Sequence, residues 1–276
     1  MVQMPNISNR PSTGDTIVLV PARMASTRLP GKPLAMIAGE ATIVHVWRRA
    51  IEAAVGEVVV AAAEAEIVAA VTAAGGRAVL TDPGLPSGSD RIAAALQALD
   101  PGRRFAKVVN LQGDLPTIDP AAIRAVLAPL DDPAVDIATL AAPIHDEAER
   151  RNPNVVKAVA RFTAGQAIAR ASDFRRLLPP DHAGPQYHHI GIYAYRRPAL
   201  ERFVSLPPSE RELRDRLEQL RALDAGMRID VALVDSAPFG VDTPADLDRA
   251  RAVLGASTPD TTGDPNAHPA TPTGAV

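Results

Sequence analysis

The sequence predicts an α/β protein with a mostly parallel sheet, helices on both of its faces and an inserted antiparallel lobe. Short β-branched runs alternate with alanine-rich helical segments through the first half of the chain, which is typical of repeated strand–helix–strand units. The 276 residues are 46% hydrophobic, so the chain has enough apolar surface for one large core. The pattern changes in the second half, where strand-like runs follow each other with fewer helices between them.

The first half contains four predicted strands and four predicted helices. The strands are residues 17–20, 58–60, 78–80 and 108–111. The helices are predicted at about 42–54, 64–74, 89–99 and 120–127. Gly75 and Gly76 mark the end of the second helix, because glycine tolerates the left-handed conformation that ends helices.

The second half begins after Asp136. Strands are predicted at 137–140, 155–159 and 189–195, followed by a single helix over 210–223. A strand at 229–234 and a helix at 243–253 complete the pattern. We therefore expect one domain over residues 16–255, whose antiparallel lobe covers about 136–223.

The two ends are predicted to be disordered over residues 1–15 and 256–276, because neither has enough apolar residues to offset the entropy of ordering. The net charge of -3 gives no reason to expect a nucleic-acid surface. The chain has no apolar run of the length that a membrane span needs and no secretory signal pattern. Its lack of cysteine excludes thiol catalysis and disulfides and fits a cytoplasmic protein.

The loop after the first strand, residues 21–34, carries Arg23, Ser26, Arg28 and Lys32. A loop at the carboxyl end of a parallel strand lies where α/β sheets bind ligands, and these side chains suit a polyphosphate. The loop lacks both the P-loop and the dinucleotide-binding glycine patterns. A solvated basic loop is the alternative, which the rigid Pro-Gly-Lys-Pro sequence at 30–33 disfavours.

Two aspartates stand at similar positions. Asp114 follows an apolar strand within Gln112-Gly113-Asp114, and Asp242 precedes the last helix. A carboxylate at a strand end, beside a glycine that allows close backbone approach, is suited to Mg²⁺ shared with phosphate oxygens. The structural alternatives are a turn aspartate for Asp114 and a helix cap at Asp242 or Thr243.

These segments, with Ser-Gly-Ser-Asp-Arg at 87–91 and the strand His188–Arg196, resemble the signatures of the 3-deoxy-manno-octulosonate cytidylyltransferase family over about residues 16–254. The resemblance implies a nucleotide-binding sheet like that of nucleotide-diphospho-sugar transferases. It implies that CTP and 3-deoxy-D-manno-octulosonate (Kdo) give CMP-Kdo and diphosphate, a step that serves lipopolysaccharide synthesis. It further implies a homodimer with Mg²⁺ as cofactor.

The resemblance also implies roles for individual residues. Asp114 and Asp242 are expected to share one Mg²⁺, and Arg23, Lys32 and both aspartates to be catalytic, with Lys32 stabilising the transition state. The implied nucleotide contacts are Ala22, Arg23, Ser26, Arg28, Lys32, Ser87, Ser89, Arg91, Gln112 and Gly113. Ser89 is alternatively the N-cap of its helix.

On the sugar side the resemblance implies contacts from His189 and Tyr193, which strand alternation puts on one face with Gly191 and Tyr195. Glu218 and Gln219 are expected to line the site from a helix with an apolar stripe of Leu213, Leu217 and Leu220.

The sugar carboxylate is assigned to Arg170, with Arg175 as the alternative. In one continuous strand these two arginines point to opposite faces.

The chain departs from the family at three places. The segment around Arg170 lacks the usual aromatic residues, Leu115 stands where many members have Glu, and Ala62-Ala63 replaces a Thr-Asp pair. Two alternatives therefore stay open. One is a related acceptor, either an amino-substituted Kdo or a sialic-acid-like sugar. The other is a catalytically retired paralogue that only binds nucleotide.

Overall fold

The computed structural model describes residues 14–26, 28–179 and 182–256. Nearly all of both predicted disordered ends lies outside these ranges. The strands are β1 (Thr16–Ala22), β2 (Met36–Ile37), β3 (Glu40–Ala41), β4 (Glu57–Ala62), β5 (Ala78–Leu80), β6 (Lys107–Asn110), β7 (Ile137–Pro143), β8 (Lys157–Ala160), β9 (Ile168–Arg175), β10 (Tyr187–Arg196) and β11 (Ile229–Leu233). The helices are α1 (Thr42–Ala53), α2 (Ala65–Ala73), α3 (Gly88–Leu99), α4 (Pro120–Ala125), α5 (Glu147–Arg151), α6 (Arg197–Ser205), α7 (Glu210–Asp215), α8 (Gln219–Asp224) and α9 (Pro244–Gly255).

Nine of the strands form one sheet in the order β5-β4-β1-β6-β10-β7-β11-β9-β8. The first four are parallel neighbours, which confirms the predicted parallel half. β10 runs antiparallel between β6 and β7, and β9 and β8 are antiparallel to their neighbours. The antiparallel strands of residues 136–223 therefore extend the same sheet. The last strand of the order, β8, returns to pair with β10.

The core lies on both faces of this sheet, as β1 illustrates. Val18 and Val20 belong to the apolar cluster that includes α1, whereas Ile17 and Leu19 belong to the cluster that includes α3 and α6. All four are fully buried. A strand covered on both faces has no polar alternation, which is why the short β-branched runs could be recognised.

The predicted helix over 210–223 is wrong in one respect, because the chain forms two helices, α7 and α8. Arg216 has φ of 54° and ends α7 in the left-handed conformation. Arg221 then pairs through its guanidinium with Glu212, which holds α8 back against α7. The predicted apolar stripe is broken as a result, since Leu213 is 67% exposed.

None of the described helices has the length and hydrophobicity that a membrane crossing needs.

Candidate active site

A polar cavity of about 390 Å³ opens at the carboxyl ends of β1 and β6. Four chain segments form it: the loop after β1, the start of α3, the loop after β6 and the segment before α9. Its lining residues are Pro21, Ala22, Arg23, Ala25, Ser26, Arg28, Lys32, Pro33, Ser87, Gly88, Arg91, Gln112, Gly113, Asp114 and Asp242. Every predicted nucleotide-binding residue except Ser89 is among them, as are both predicted metal ligands, so the four segments converge on one place.

Lys32 lies between the two predicted metal ligands. Its Nζ donates to Asp114 Oδ2 at 2.8 Å and to Asp242 Oδ1 at 3.0 Å. Arg28 reaches the other oxygen of Asp242 at 2.9 Å. Burial of the Lys32 ammonium lowers its pKa, but the charges and hydrogen bonds of the two aspartates outweigh burial and raise the pKa overall. Lys32 is therefore positively charged at neutral pH. The two carboxylates face a common point, because both accept from the same ammonium.

A backbone hydrogen bond joins the segments that carry the two aspartates. Val241 N–H donates to the carbonyl of Asp114 at 2.9 Å, so each segment fixes the other. Thr243, not Asp242, is the N-cap of α9, and its capping box is completed by Asp246. Because Thr243 provides the cap, the Asp242 carboxylate is left to face the cavity.

Gly113 allows the loop after β6 to pass close to β1. A Cβ at this position would lie 2.7 Å from the carbonyl oxygen of Pro21 and 3.2 Å from Cδ1 of Ile43. The first contact is with backbone, so one segment has to shift. We expect Gly113→Ala to lower the free energy of unfolding by about 1–3 kcal/mol, and to lower kcat because Asp114 moves with the loop.

Chemical denaturation and steady-state kinetics test this expectation, with Gly102→Ala as the control, since a Cβ on Gly102 meets nothing within 4 Å. Equal unfolding curves for the two variants would contradict the close approach.

The start of α3 corrects the alternative interpretation of Ser89 as the N-cap of this helix. Ser87 is the N-cap and accepts a hydrogen bond from the N–H of Asp90, because the helix begins at Gly88. Ser89 is buried and donates to Glu218 Oε2 at 3.0 Å. It lies behind the cavity wall and links α3 to the start of α8.

Arg91 is a buried cation at the cavity wall, 2% exposed. Its Nη1 donates to Thr81 Oγ1 and to the carbonyl of Asp82. Its Nη2 has no hydrogen-bond partner in the described part of the chain. Burial is the main cause that lowers the pKa of Arg91, and the charge of Arg23 contributes. A buried, unsatisfied N–H group is costly, so Nη2 is suited to an acceptor atom of a ligand.

His189 and Tyr193 stand in a row of aromatic rings on β10. The His189 ring lies 4.8 Å from Phe174 and 5.5 Å from Tyr193 between centroids, and Tyr193 lies 6.0 Å from Tyr195. The row adjoins the cavity, since a Cβ on Gly191 would lie 3.9 Å from Cγ of Gln112. The three rings share one face, as strand alternation predicted.

The protonation of His189 follows from its surroundings. Burial, with a smaller contribution from His188, lowers its pKa to about 3, so the imidazole is neutral near pH 7. Nε2 lies 3.0 Å from Thr139 Oγ1, whose hydroxyl also lies 2.8 Å from the carbonyl of Ile192. Because the single hydroxyl proton is directed to that carbonyl, Nε2 carries the ring hydrogen and Nδ1 is the acceptor nitrogen.

Glu218 and Gln219 lie where α8 begins, beside Ser89 rather than in the cavity lining. Burial raises the pKa of Glu218, although hydrogen bonds from Ser87 and Ser89 oppose the shift. Its Oε1 has no hydrogen-bond partner among the described residues, and Gln219 is 6% exposed. The Glu218 Oε1 atom therefore makes only a loose ion pair with Arg221 Nη2 at 3.9 Å among the described residues and can still accept a hydrogen bond.

Arg170 is not brought together with Lys32. It lies on β9, opposite Asp230 of β11, and lines a separate surface cavity with Arg211. Arg170 and Arg175 are both exposed, which corrects the prediction that they point to opposite faces. The pairing of β9 with β8 shifts register at Ala171, and the additional residue of this bulge reverses the alternation.

Glu64 is a site residue that the motifs did not indicate. Its carboxylate accepts the N–H of Met24 at 2.9 Å and so anchors the loop after β1. Its charge also opposes the lowering of the pKa of Arg91. The available signal was an acidic residue just after β4, at the same edge of the sheet as the other site loops.

Comparisons with known proteins agree with this geometry. A family model described as cytidylyltransferase matches residues 17–229. The chain is 63% identical to 3-deoxy-manno-octulosonate cytidylyltransferase of Paramagnetospirillum magneticum, over 86% of this chain and 97% of that protein. It is 65% identical to the protein of the same name from a Bradyrhizobium species, over 86% and 96%.

Among solved structures, the chain is similar to CMP:2-keto-3-deoxy-manno-octonic acid synthetase complexed with CTP. The TM-score is 0.81 with 37% identity, and the match covers 89% of this chain and all of the other. The chain thus belongs to the cytidylyltransferase family and, within it, to the 3-deoxy-manno-octulosonate cytidylyltransferases.

Proposed function

We propose that this chain transfers CMP from CTP to Kdo, releasing diphosphate, in the cavity around Lys32. The observation that carries the proposal is the convergence of Arg23, Arg28 and Lys32 with Asp114 and Asp242 around one cavity. Cations at a strand end suit a triphosphate. The chain belongs to the 3-deoxy-manno-octulosonate cytidylyltransferases, which supports CTP as the donor and Kdo as the acceptor.

In this mechanism the anomeric hydroxyl oxygen of the sugar forms a bond to the α-phosphorus of CTP. The bond from that phosphorus to the diphosphate oxygen breaks, and the hydroxyl proton leaves to solvent. Arg23, Arg28 and Lys32 pair with the phosphate oxygens and keep the reacting atoms in line. Catalysis of this kind comes mainly from positioning and charge stabilisation.

The donor set fits a divalent cation. Asp114 and Asp242 provide carboxylate oxygens, and no group of three or more His, Asp or Glu side chains suited to a metal occurs in the described ranges. Mg²⁺ usually takes one or two carboxylates and fills its other positions with water and substrate phosphate, and the family generally uses a divalent metal. We therefore assign Mg²⁺ to Asp114 and Asp242. When bound, it neutralises phosphate charge and lowers the pKa of a hydroxyl that contacts it.

The remaining polar groups are assigned by the atoms that they offer. Arg91 Nη2 donates to an acceptor on the nucleotide. His189 Nδ1 accepts from a sugar hydroxyl, with Tyr193 beside it. Glu218 and Gln219 complete the sugar side of the site, and Glu218 Oε1 accepts from another sugar hydroxyl. Because these protein groups are buried, each of their hydrogen bonds contributes to selectivity. A sugar that lacks the matching group would leave a buried polar atom without a partner.

A diphosphate-release assay tests this function, with all four nucleoside triphosphates against Kdo, an amino-substituted Kdo and a sialic acid. We expect the highest kcat/KM for CTP with Kdo. A higher kcat/KM with another sugar acid would identify that sugar, and not Kdo, as the acceptor. Binding of CTP without turnover on any acceptor would instead identify a retired, nucleotide-binding protein.

The residue that holds the sugar carboxylate stays a prediction. Arg170→Ala is expected to raise the KM for Kdo several-fold with little change in the KM for CTP, because the sugar carboxylate would lose its cationic partner. Arg175→Ala is the matched control, since Arg175 already pairs with Asp173 at 2.7 Å. Normal kinetics in both variants would place the carboxylate elsewhere.

We also propose that the enzyme works as a homodimer in the cytoplasm. The absence of cysteine and the use of a nucleoside triphosphate support the compartment. Light scattering on the purified full chain measures the oligomeric state directly.

A further inference from the structure

The position of Lys32 raises a question about how a divalent cation reaches the two aspartates. Its ammonium donates to one oxygen of each carboxylate, so it occupies the point that both face. Arg28 is a weaker competitor, because its side chain is 62% exposed and it pairs with Oδ2 of Asp242, the oxygen that Lys32 does not contact. Exposed ion pairs contribute little to stability because water screens them. The Lys32 side chain is only 15% exposed, so its ion pairs are screened less.

The backbone at Lys32 is fixed, but its side chain can move. Gly31 has φ of 71°, and Pro33 follows Lys32 within a short 3-10 turn. The N–H of Lys32 donates to the carbonyl of Leu29 at 3.1 Å. The four-carbon stem of lysine is flexible and ends in a compact point charge. A ligand of higher negative charge can therefore draw the ammonium away while the loop stays in place.

We infer that the Lys32 ammonium occupies the cation site and holds Asp114 and Asp242 together before nucleotide binds, and that it yields to a divalent ion when the triphosphate arrives. This inference rests on the proposed function, since it takes the two aspartates as the metal ligands. It makes metal entry depend on the nucleotide, because the triphosphate both attracts Lys32 and accompanies the incoming cation.

The inference predicts weak binding of divalent cations to the nucleotide-free protein. An incoming ion must displace a paired ammonium, and that ammonium repels it by like charge. Removing the charge leaves two carboxylates facing one point, which is an arrangement that a cation stabilises. A neighbouring cation lowers the proton affinity of a carboxylate by about tenfold to a thousandfold, and we expect a comparable effect on its affinity for a metal cation.

The test is Mn²⁺ binding to the full chain without nucleotide, measured from the electron paramagnetic resonance signal of free Mn²⁺. Lys32→Met is expected to bind Mn²⁺ about tenfold or more tightly than the wild-type protein. Lys32→Arg keeps the charge and is expected to bind weakly, as the wild type does. Lys107→Met is the matched control, because Lys107 begins β6 at the opposite end of the strand from the cavity.

Lys32→Gln provides a second neutral variant, and thermal unfolding confirms that each variant is folded. Equal or weaker Mn²⁺ binding in both neutral variants would overturn the inference. Asp114→Asn in the Lys32→Met background separates this failure from failure of the proposed function. Loss of Mn²⁺ binding there supports the aspartate site, whereas retained tight binding would show that the ion is held elsewhere and would overturn both.

Discussion

Lys32→Ala is expected to lower kcat by about 10²–10³-fold, which is the cost of removing one group that stabilises transition-state charge. Lys32 is the least exposed side chain of the loop's ion pairs, so its charge is screened less than that of Arg28. The fold should persist, because the turn around Lys32 is set by Gly31 and Pro33. Steady-state kinetics with saturating CTP and Kdo measure the effect.

The matched control is Lys107→Ala, which removes the same side chain outside the cavity and is expected to leave kcat unchanged. Thermal unfolding of both variants separates a catalytic effect from a loss of structure. A Lys32→Ala enzyme with the kcat of the wild type would remove Lys32 from the mechanism.

Asp114→Asn is expected to lower kcat by about a hundredfold or more and to raise the Mg²⁺ concentration needed for half-maximal activity, because an amide oxygen is a weaker ligand for a hard cation than a carboxylate. The substitution conserves shape and keeps the backbone bond from Val241 to residue 114. Its consequence is therefore confined to the charge that faces Lys32. Initial rates over a Mg²⁺ titration measure both changes.

Asp248→Asn serves as the control, since Asp248 is an exposed residue of α9 that pairs with Arg251 at 2.8 Å. It should titrate like the wild type. An unchanged Mg²⁺ dependence in Asp114→Asn would mean that Asp114 is not a metal ligand.

The parallel half of the fold could be predicted because its signals are local. Strands buried on both faces are short apolar runs, and the predicted residues 78–80 coincide with β5. The cavity was predictable for a related reason: loops at the carboxyl ends of neighbouring parallel strands meet at one edge of a sheet. Motifs distant in sequence, such as those of Lys32 and Asp242, could thus be assigned to the same place.

The features that the sequence did not reveal depend on one backbone conformation or one contact. The bulge in β9 reverses the direction of Arg170 relative to Arg175, and no residue pattern marks it. The left-handed Arg216 divides the predicted helix although arginine is a good helix former. The pairing of Lys32 with both aspartates is likewise a tertiary contact, and the loop sequence alone indicated only a phosphate ligand.

The return of β8 to β10 has a consequence for how this chain can associate. In the nine-stranded sheet of the described residues, β8 pairs with two strands, so β5 is the only strand with a single neighbour. An unpaired strand edge invites another chain to continue the sheet. Here that edge is three residues long, which is too short for stable pairing. Sheet-to-sheet pairing, and the aggregation that it would start, therefore has little backbone to begin from at this edge.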